Sequence, residues 1–252
     1  MTTLKLAVPS KGRLKEQNED LFRRAGVPIE PLGGARGYLA RIPALPDIEV
    51  RLLSASEIAT GVIAGDIHAG VSGEDLLREQ AGDLERVAHL LVPLGFGRAD
   101  LVVAAPIGWL DVETMADVDD VAARMEGATG RKLRVATKYV RSTRRFFTDE
   151  GVGHYRIVES AGATEGAPAA GVAELVVDIT TTGATLQANG LKILNDGVIL
   201  RSQAQLVGSL GAVWSPEALL ALRSLLDAFA RMAGKANETY DQFVQALNDT
   251  RP

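Results

Sequence analysis

Thr180-Thr181-Thr182-Gly183-Ala184-Thr185 is the stretch of this sequence with the most concentrated capacity for chemistry. It follows an apolar run, Leu175-Val176-Val177, that ends at Asp178, and it precedes an amphipathic run from Leu186 to Leu191. The pattern predicts a buried strand, a hydroxyl-rich turn and a helix N-terminus. Free N–H groups at the start of a helix point outward, and the helix dipole favours an anion there. The hydroxyls of Thr182 and Thr185 add donors, and Gly183 lets the backbone approach an oxygen closely. Asp178 repels phosphate. The combination therefore suits a ligand with a phosphate at one end and hydroxyls at the other, as in a ribose 5-phosphate. The same residues also suit a plain strand-to-helix turn with a threonine N-cap.

A second loop carries positive charge. Pro9-Ser10-Lys11-Gly12-Arg13 lies between a predicted strand, Leu4 to Val8, and a predicted helix, Leu14 to Ala25, closed by Gly26. Two cations flanking a glycine at such a junction suit a pyrophosphate or triphosphate, or are simply solvated surface charge. Glu74 and Asp75 open another predicted helix, where acids usually serve as dipole partners and caps. His68 stands alone and reads as structural.

These residues need elements to hold them. Strands are predicted at Ile48 to Leu53, Ile67 to Val71, Val87 to Val92, Leu101 to Ala105, Leu133 to Ala136 and Tyr155 to Val158, with helices between most of them. Val27 to Ile48 reads as irregular because glycines and prolines interrupt it. Lys192 to Leu200 and Gln203 to Val207 read as two strands around an Asn195-Asp196-Gly197 hairpin turn. Ser215-Pro216-Glu217 is a helix start, and a further helix is expected over Ala236 to Leu247. Alternating strands and helices imply an α/β protein with mainly parallel sheets, in which ligands sit beyond strand C-termini. Lys11, Lys138, Glu159 and Asp178 all fall at such ends. The expected organisation is 1–96 with 193–214 as one lobe, 97–192 as a second, and 215–252 as a helical tail.

The bulk properties narrow the class. The chain has 252 residues, 46% of them hydrophobic and 23% charged, with a formal charge of −5. That is ordinary globular composition, without the one-sided basic surface of a nucleic-acid binder. There is no cysteine, which excludes disulfides, zinc-thiolate sites and a cysteine nucleophile. No apolar run approaches the ~20 residues of a membrane span, and the first residues have too short an apolar run for a signal peptide. A cytoplasmic protein is the expectation.

Glu165 to Leu186, E-G-A-P-A-A-G-V-A-E-L-V-V-D-I-T-T-T-G-A-T-L, resembles the ATP phosphoribosyltransferase family. So do Pro9 to Leu14, Gly70 to Leu76, Leu94 to Gly97 and Ala136 to Tyr139, in the same order along the chain. The resemblance implies a two-lobed type II periplasmic-binding-protein-like fold. It implies a Mg-dependent reaction in which ATP and phosphoribosyl pyrophosphate give phosphoribosyl-ATP and pyrophosphate, the first step of histidine biosynthesis. It implies the short form, a homodimer working with a histidyl-tRNA-synthetase-like regulatory subunit. By position, Asp178 or Glu165 would take ribose hydroxyls, and Thr180, Thr181, Thr182, Gly183, Ala184 and Thr185 the 5-phosphate. Lys11, Gly12, Arg13, Arg36, Glu74, Asp75, Lys138 and Glu159 would face ATP or pyrophosphate, with Arg36 reaching across a dimer interface. No single catalytic base is expected. A phosphoribosyltransferase acting on a free base fits less well, because Ile179 stands where such enzymes have a second acid. A non-catalytic small-anion sensor with a solute-binding fold is the alternative outside enzymes.

Overall fold

The computed structural model describes residues 3–33, 37–160, 162–234 and 237–250. They form two compact units, Met1–Gly97 with Gln203–Pro252, and Arg98–Ser202.

The first unit is built on a seven-stranded sheet. Its strands are β1 (Leu4–Pro9), β2 (Glu30–Leu32), β3 (Leu39–Arg41), β4 (Ile48–Leu53), β5 (Ala69–Gly73), β6 (Ala88–Pro93) and β12 (Ala204–Ser209), in the order β2-β3-β4-β1-β5-β12-β6. β4, β1 and β5 are parallel, and β12 runs antiparallel between β5 and β6. The pleat divides β1 between two cores. Leu4, Leu6 and Val8 face α1 (Gly12–Arg24) and α8 (Pro216–Ala233), while Ala7 faces the side of α2 (Ala55–Ala64) and α3 (Glu74–Gln80). α1 and α8 meet through Phe22 and Phe229, edge to face at 5.1 Å. Phe22 is fully buried, a placement that contributes about 1.5–3 kcal/mol for such a side chain.

The second unit carries a five-stranded sheet of β7 (Ala99–Pro106), β8 (Leu133–Thr137), β9 (Tyr155–Glu159), β10 (Leu175–Thr180) and β11 (Leu191–Ser202), in the order β11-β7-β10-β8-β9. β9, β8 and β10 are parallel, and β7 lies antiparallel between β10 and β11. Each sheet thus repeats one plan. Three parallel strands are ordered second, first, third. Then comes an antiparallel strand, the first after the chain enters that unit or re-enters it, and a last strand beyond it. This is the strand order of the expected type II periplasmic-binding-protein-like fold.

Several local expectations are corrected. Asn195-Asp196-Gly197 does not turn the chain. β11 continues through it with a register shift against β7 between Ile193 and Val198. The tripeptide is held by partners distant in sequence. The Asn195 N–H donates to the Glu113 carbonyl at 2.9 Å, and Asp196 Oδ1 accepts from the Met115 N–H at 2.9 Å, at the start of α5 (Met115–Thr129). β11 therefore stays in the second unit as far as Ser202. The segment expected to be irregular contains the short outer strands β2 and β3. The segment expected as a tail is part of the first unit's core. α8 starts where Ser215 Oγ accepts from the Ala218 N–H at 3.2 Å, and it buries Leu222, Leu225, Leu226 and Phe229. α9 (Thr239–Thr250) begins after Ala236, which lies outside the described residues.

His68 joins that helical segment to the sheet. The Lys5 N–H donates to its Nδ1 at 3.0 Å, so the proton resides on Nε2, which donates to the Val213 carbonyl at 3.0 Å. Its ring packs on Trp214 at 4.8 Å, and Trp214 packs on Phe243 of α9 at 5.1 Å. Burial holds the imidazole below its ordinary pKa; the Val213 carbonyl pulls it up and the Lys5 charge pushes it further down. The folded state therefore binds this proton less readily than the unfolded chain does. Stability falls as pH drops through about 6.5, where the unfolded imidazole protonates, and levels off below the folded value. We expect the urea midpoint of the protein to fall between pH 7.5 and pH 5.5 by more than that of a His68→Gln variant. Equal falls would remove His68 from the account.

Candidate active site

The alternation that buries β10 also aims its carboxylate. Leu175 and Val177 enter the core under α5 and α6 (Val140–Asp149), whereas Val176 enters the opposite core with Leu186 and Leu191. Asp178, two residues after Val176, thus faces the side of α7 (Ala184–Ala188). A pocket of about 300 Å³ lies there, lined by Ala99, Glu165, Asp178, Ile179, Thr180, Thr181, Thr182, Thr185 and Leu186. It brings together both predicted ribose acids and four of the predicted phosphate residues. Ala99, Ile179 and Leu186 were not anticipated, because apolar wall residues carry no motif.

Asp178 is largely sheltered, with 16% of its side chain exposed. Burial raises its pKa. The Ile179 N–H, 2.8 Å from Oδ1, and the Lys138 charge oppose this, and Glu165 adds to it as a like charge. Lys138 Nζ is 3.9 Å from Asp178 Oδ1 and 5.2 Å from the Tyr139 ring centre. Lys138 is itself exposed, so this pair is loose and screened. Glu159 ends β9 on the exposed surface and does not line the pocket.

The threonine turn is organised by its own hydroxyls. The Gly183 N–H donates to Thr180 Oγ1 at 2.9 Å, and the Ala184 N–H to Thr182 Oγ1 at 3.3 Å. Gly183 sits at φ +76°, in the left-handed region that glycine tolerates. Among the described residues, the amides of Thr181, Thr182, Thr185 and Leu186 have no protein partner. α7 is a helix of five residues, too short for a large dipole, so any anion here rests on local N–H and O–H donors. The hydroxyls of Thr180 and Thr182, accepting from the backbone, remain free to donate outward.

In the first unit, three helices start at the C-terminal ends of adjacent parallel strands. α2 is closed by a capping box, with the Ser54 N–H donating to Glu57 Oε2 at 2.8 Å and the Glu57 N–H to Ser54 Oγ at 3.3 Å. α3 carries Glu74 and Asp75 in its first turn. Glu74 accepts from Arg78 Nε at 2.8 Å and Gln205 Nε2 at 3.1 Å, so its carboxylate is engaged within the unit. Asp75 is buried. α1 has no side-chain cap and no acid in its first turn, and Lys11, Gly12 and Arg13 are exposed there. Of the three, its N-terminus is the one electrostatically suited to phosphate. Arg36 lies outside the described residues.

The comparisons with known proteins converge. The family described as HisG: ATP phosphoribosyltransferase matches residues 54–229. The chain is similar to the ATP phosphoribosyltransferase of Caulobacter vibrioides (strain NA1000 / CB15N), 64% identical over 225 residues, which are 89% of this chain and 70% of that protein. It is similar to the ATP phosphoribosyltransferase of Rhodopseudomonas palustris (strain BisB18), 55% identical over 237 residues, which are 94% of this chain and 73% of that protein. Among solved structures, the ATP phosphoribosyl transferase (HisG:HisZ) complex from Thermotoga maritima matches with a TM-score of 0.63 and 27% identity, over 95% of this chain and 98% of that one. With the pocket's two acids and its threonine turn inside the matched span, this chain belongs to the ATP phosphoribosyltransferase family.

Proposed function

We propose that this chain transfers the phosphoribosyl group of phosphoribosyl pyrophosphate to N1 of ATP, the first step of histidine biosynthesis. The observation that carries the reading is the single pocket in which Asp178 and Glu165 face the Thr180–Thr185 turn, in a member of this family. Asp178 and Glu165 accept hydrogen bonds from the ribose hydroxyls. The free amides and hydroxyls of the turn take the 5-phosphate. Lys11, Gly12 and Arg13 take phosphates of ATP or pyrophosphate, and Lys138 stands beside the ribose acids as a counter-charge.

The chemistry asks for positioning rather than proton removal. The lone pair of adenine N1 forms the bond to the anomeric carbon, and the carbon–oxygen bond to pyrophosphate breaks with its electrons leaving on oxygen. N1 is already a nucleophile, so no strong base is needed. The site's tasks are alignment and stabilisation of the departing anion and the cationic sugar. Carboxylates beside the ribose also favour positive charge as it develops on the ring.

Members of the family use a metal ion in catalysis, and we assign magnesium. Among the described residues no cluster of three or more His, Asp or Glu side chains is arranged to hold a metal. Magnesium usually keeps several of its waters and would be held through substrate phosphates with one or two carboxylates. The metal's contribution is neutralisation of diphosphate charge.

The Thermotoga maritima neighbour comes from a HisG:HisZ complex, which supports a HisZ-like partner here; we assign that role to a histidyl-tRNA-synthetase-like regulatory subunit acting with a homodimer of this chain. Among the described residues no helix is long and apolar enough to cross a membrane, and a cytoplasmic location suits both substrates. The test is pyrophosphate release from ATP, phosphoribosyl pyrophosphate and magnesium, with and without the regulatory subunit. Release dependent on both substrates is expected; none under either condition ends the reading.

A further inference from the structure

Glu165 and Asp178 share one pocket, and the Glu165 charge adds to the cost of ionising Asp178. Left to itself, a flexible glutamate would swing away from a neighbouring carboxylate. Its backbone setting opposes this. Glu165 lies in the 3-10 turn Thr164–Gly166, closed by Gly166 N–H to Ala163 O at 3.0 Å and Ala167 N–H to Thr164 O at 3.1 Å. The residue before the turn, Ala163, is at φ +50° and ψ +41°, the left-handed region, and among the described residues no other non-glycine residue has a positive φ. An alanine there persists only where its surroundings impose it.

The constraint is at hand. Thr164 is 2% exposed, and its hydroxyl donates to Ser160 Oγ at 3.1 Å. Ser160 Oγ donates in turn to the Gly162 carbonyl at 3.1 Å, and the Ser160 N–H is fixed to the Thr137 carbonyl at the end of β8 at 3.0 Å. The hydroxyl chain therefore ties both sides of Ala163 to the sheet. We propose that Thr164 is a positioning residue for the phosphoribosyl substrate: through Ser160 it holds Ala163 left-handed and so keeps Glu165 beside Asp178, ready to accept a second ribose hydroxyl. Thr164 itself does not touch the substrate. The inference rests on the assignment of this pocket to phosphoribosyl pyrophosphate.

The experiment compares Thr164→Val, which keeps shape and loses the hydroxyl, with Thr164→Ser, which keeps the hydroxyl. Calorimetric binding of phosphoribosyl pyrophosphate with magnesium and steady-state kinetics with both substrates are measured on the full chain. Thr164→Val should weaken phosphoribosyl pyrophosphate binding and raise its KM about tenfold, the scale of one hydrogen bond to a charged group. The KM for ATP should stay within twofold, and Thr164→Ser should restore the wild-type values. If Thr164→Val does not fold, Ser160→Ala removes the same bond and carries the same expectation. A folded hydroxyl-lacking variant with unchanged affinity, or a serine variant no better than valine, overturns the positioning role. Failure of the wild-type chain to bind phosphoribosyl pyrophosphate at all overturns the pocket assignment itself, and this inference with it.

Discussion

Asp178→Asn is expected to lose 10- to 100-fold in affinity for phosphoribosyl pyrophosphate, about the worth of a hydrogen bond to a charged acceptor, without losing thermal stability. Burial is the main reason Asp178 titrates above the ordinary carboxylate range. For such a group the folded state holds its proton more tightly than the unfolded chain. Ionisation therefore costs the fold stability near neutral pH, and that loss is recovered as pH falls through the raised folded value. Asparagine carries no such penalty. At pH 7 the variant should melt at or above the wild-type temperature, and the difference should shrink as the wild-type carboxyl protonates. Binding runs the other way, because wild-type affinity should begin to fall at a pH above that of an ordinary aspartate. Calorimetry and thermal melts over pH 4 to 8 test both halves. A folded variant with wild-type affinity would remove Asp178 from the site. A variant clearly less stable at pH 7 would make the carboxylate structural.

Gly183→Val should be the more damaging change to turnover. An added Cβ at Gly183 would meet only Ile193 Cδ1, at 3.5 Å, which is ordinary contact. Crowding is therefore not the cause. The cost comes from φ +76°, which a β-branched residue strongly avoids. Relaxing it rotates the Gly183 N–H away from Thr180 Oγ1 and re-aims the neighbouring free amides. Misplacing donors by about 1 Å costs roughly 100-fold in kcat/KM. Gly183→Ala should fall between, at about 1 kcal/mol of backbone strain. The turn lies at the surface with few buried contacts, so circular dichroism should report a folded protein in both cases. Equal kinetics for the glycine and valine forms would show that the turn does not shape the site.

Much of this site was legible because its signals are local. The apolar run Leu175 to Val177 marked a buried strand with Asp178 at its C-terminal end, and the threonines with Gly183 marked a donor-rich turn. Glu165 came from the resemblance, since nothing around it fixes a role by spacing alone. The rest was hidden because it depends on partners far along the chain. Asn195-Asp196-Gly197 is a strong turn signal. Yet Glu113 and Met115, about 80 positions earlier, use it to hold a helix start inside a continuous strand. The amides of Gly183 and Ala184, expected to face a ligand, satisfy threonine hydroxyls in this structure. The helix after them has one turn because β11 begins at Leu191, a limit set by pairing with β7. α8 looked like an appendage because an apolar helix face does not announce its docking partner; Phe22, some 200 positions earlier, supplies it.

The place of β12 between β5 and β6 has a consequence for synthesis. All five strands of the second sheet lie within Ala99–Ser202, so that half is complete while the ribosome is still translating the residues after Ser202. The amino-terminal half is made earlier but finished later, because β6 has no neighbour until residues beyond 202 emerge. Birth order and maturation order are thus reversed. A nascent chain arrested near residue 150 would expose an open β5 edge for a chaperone to guard.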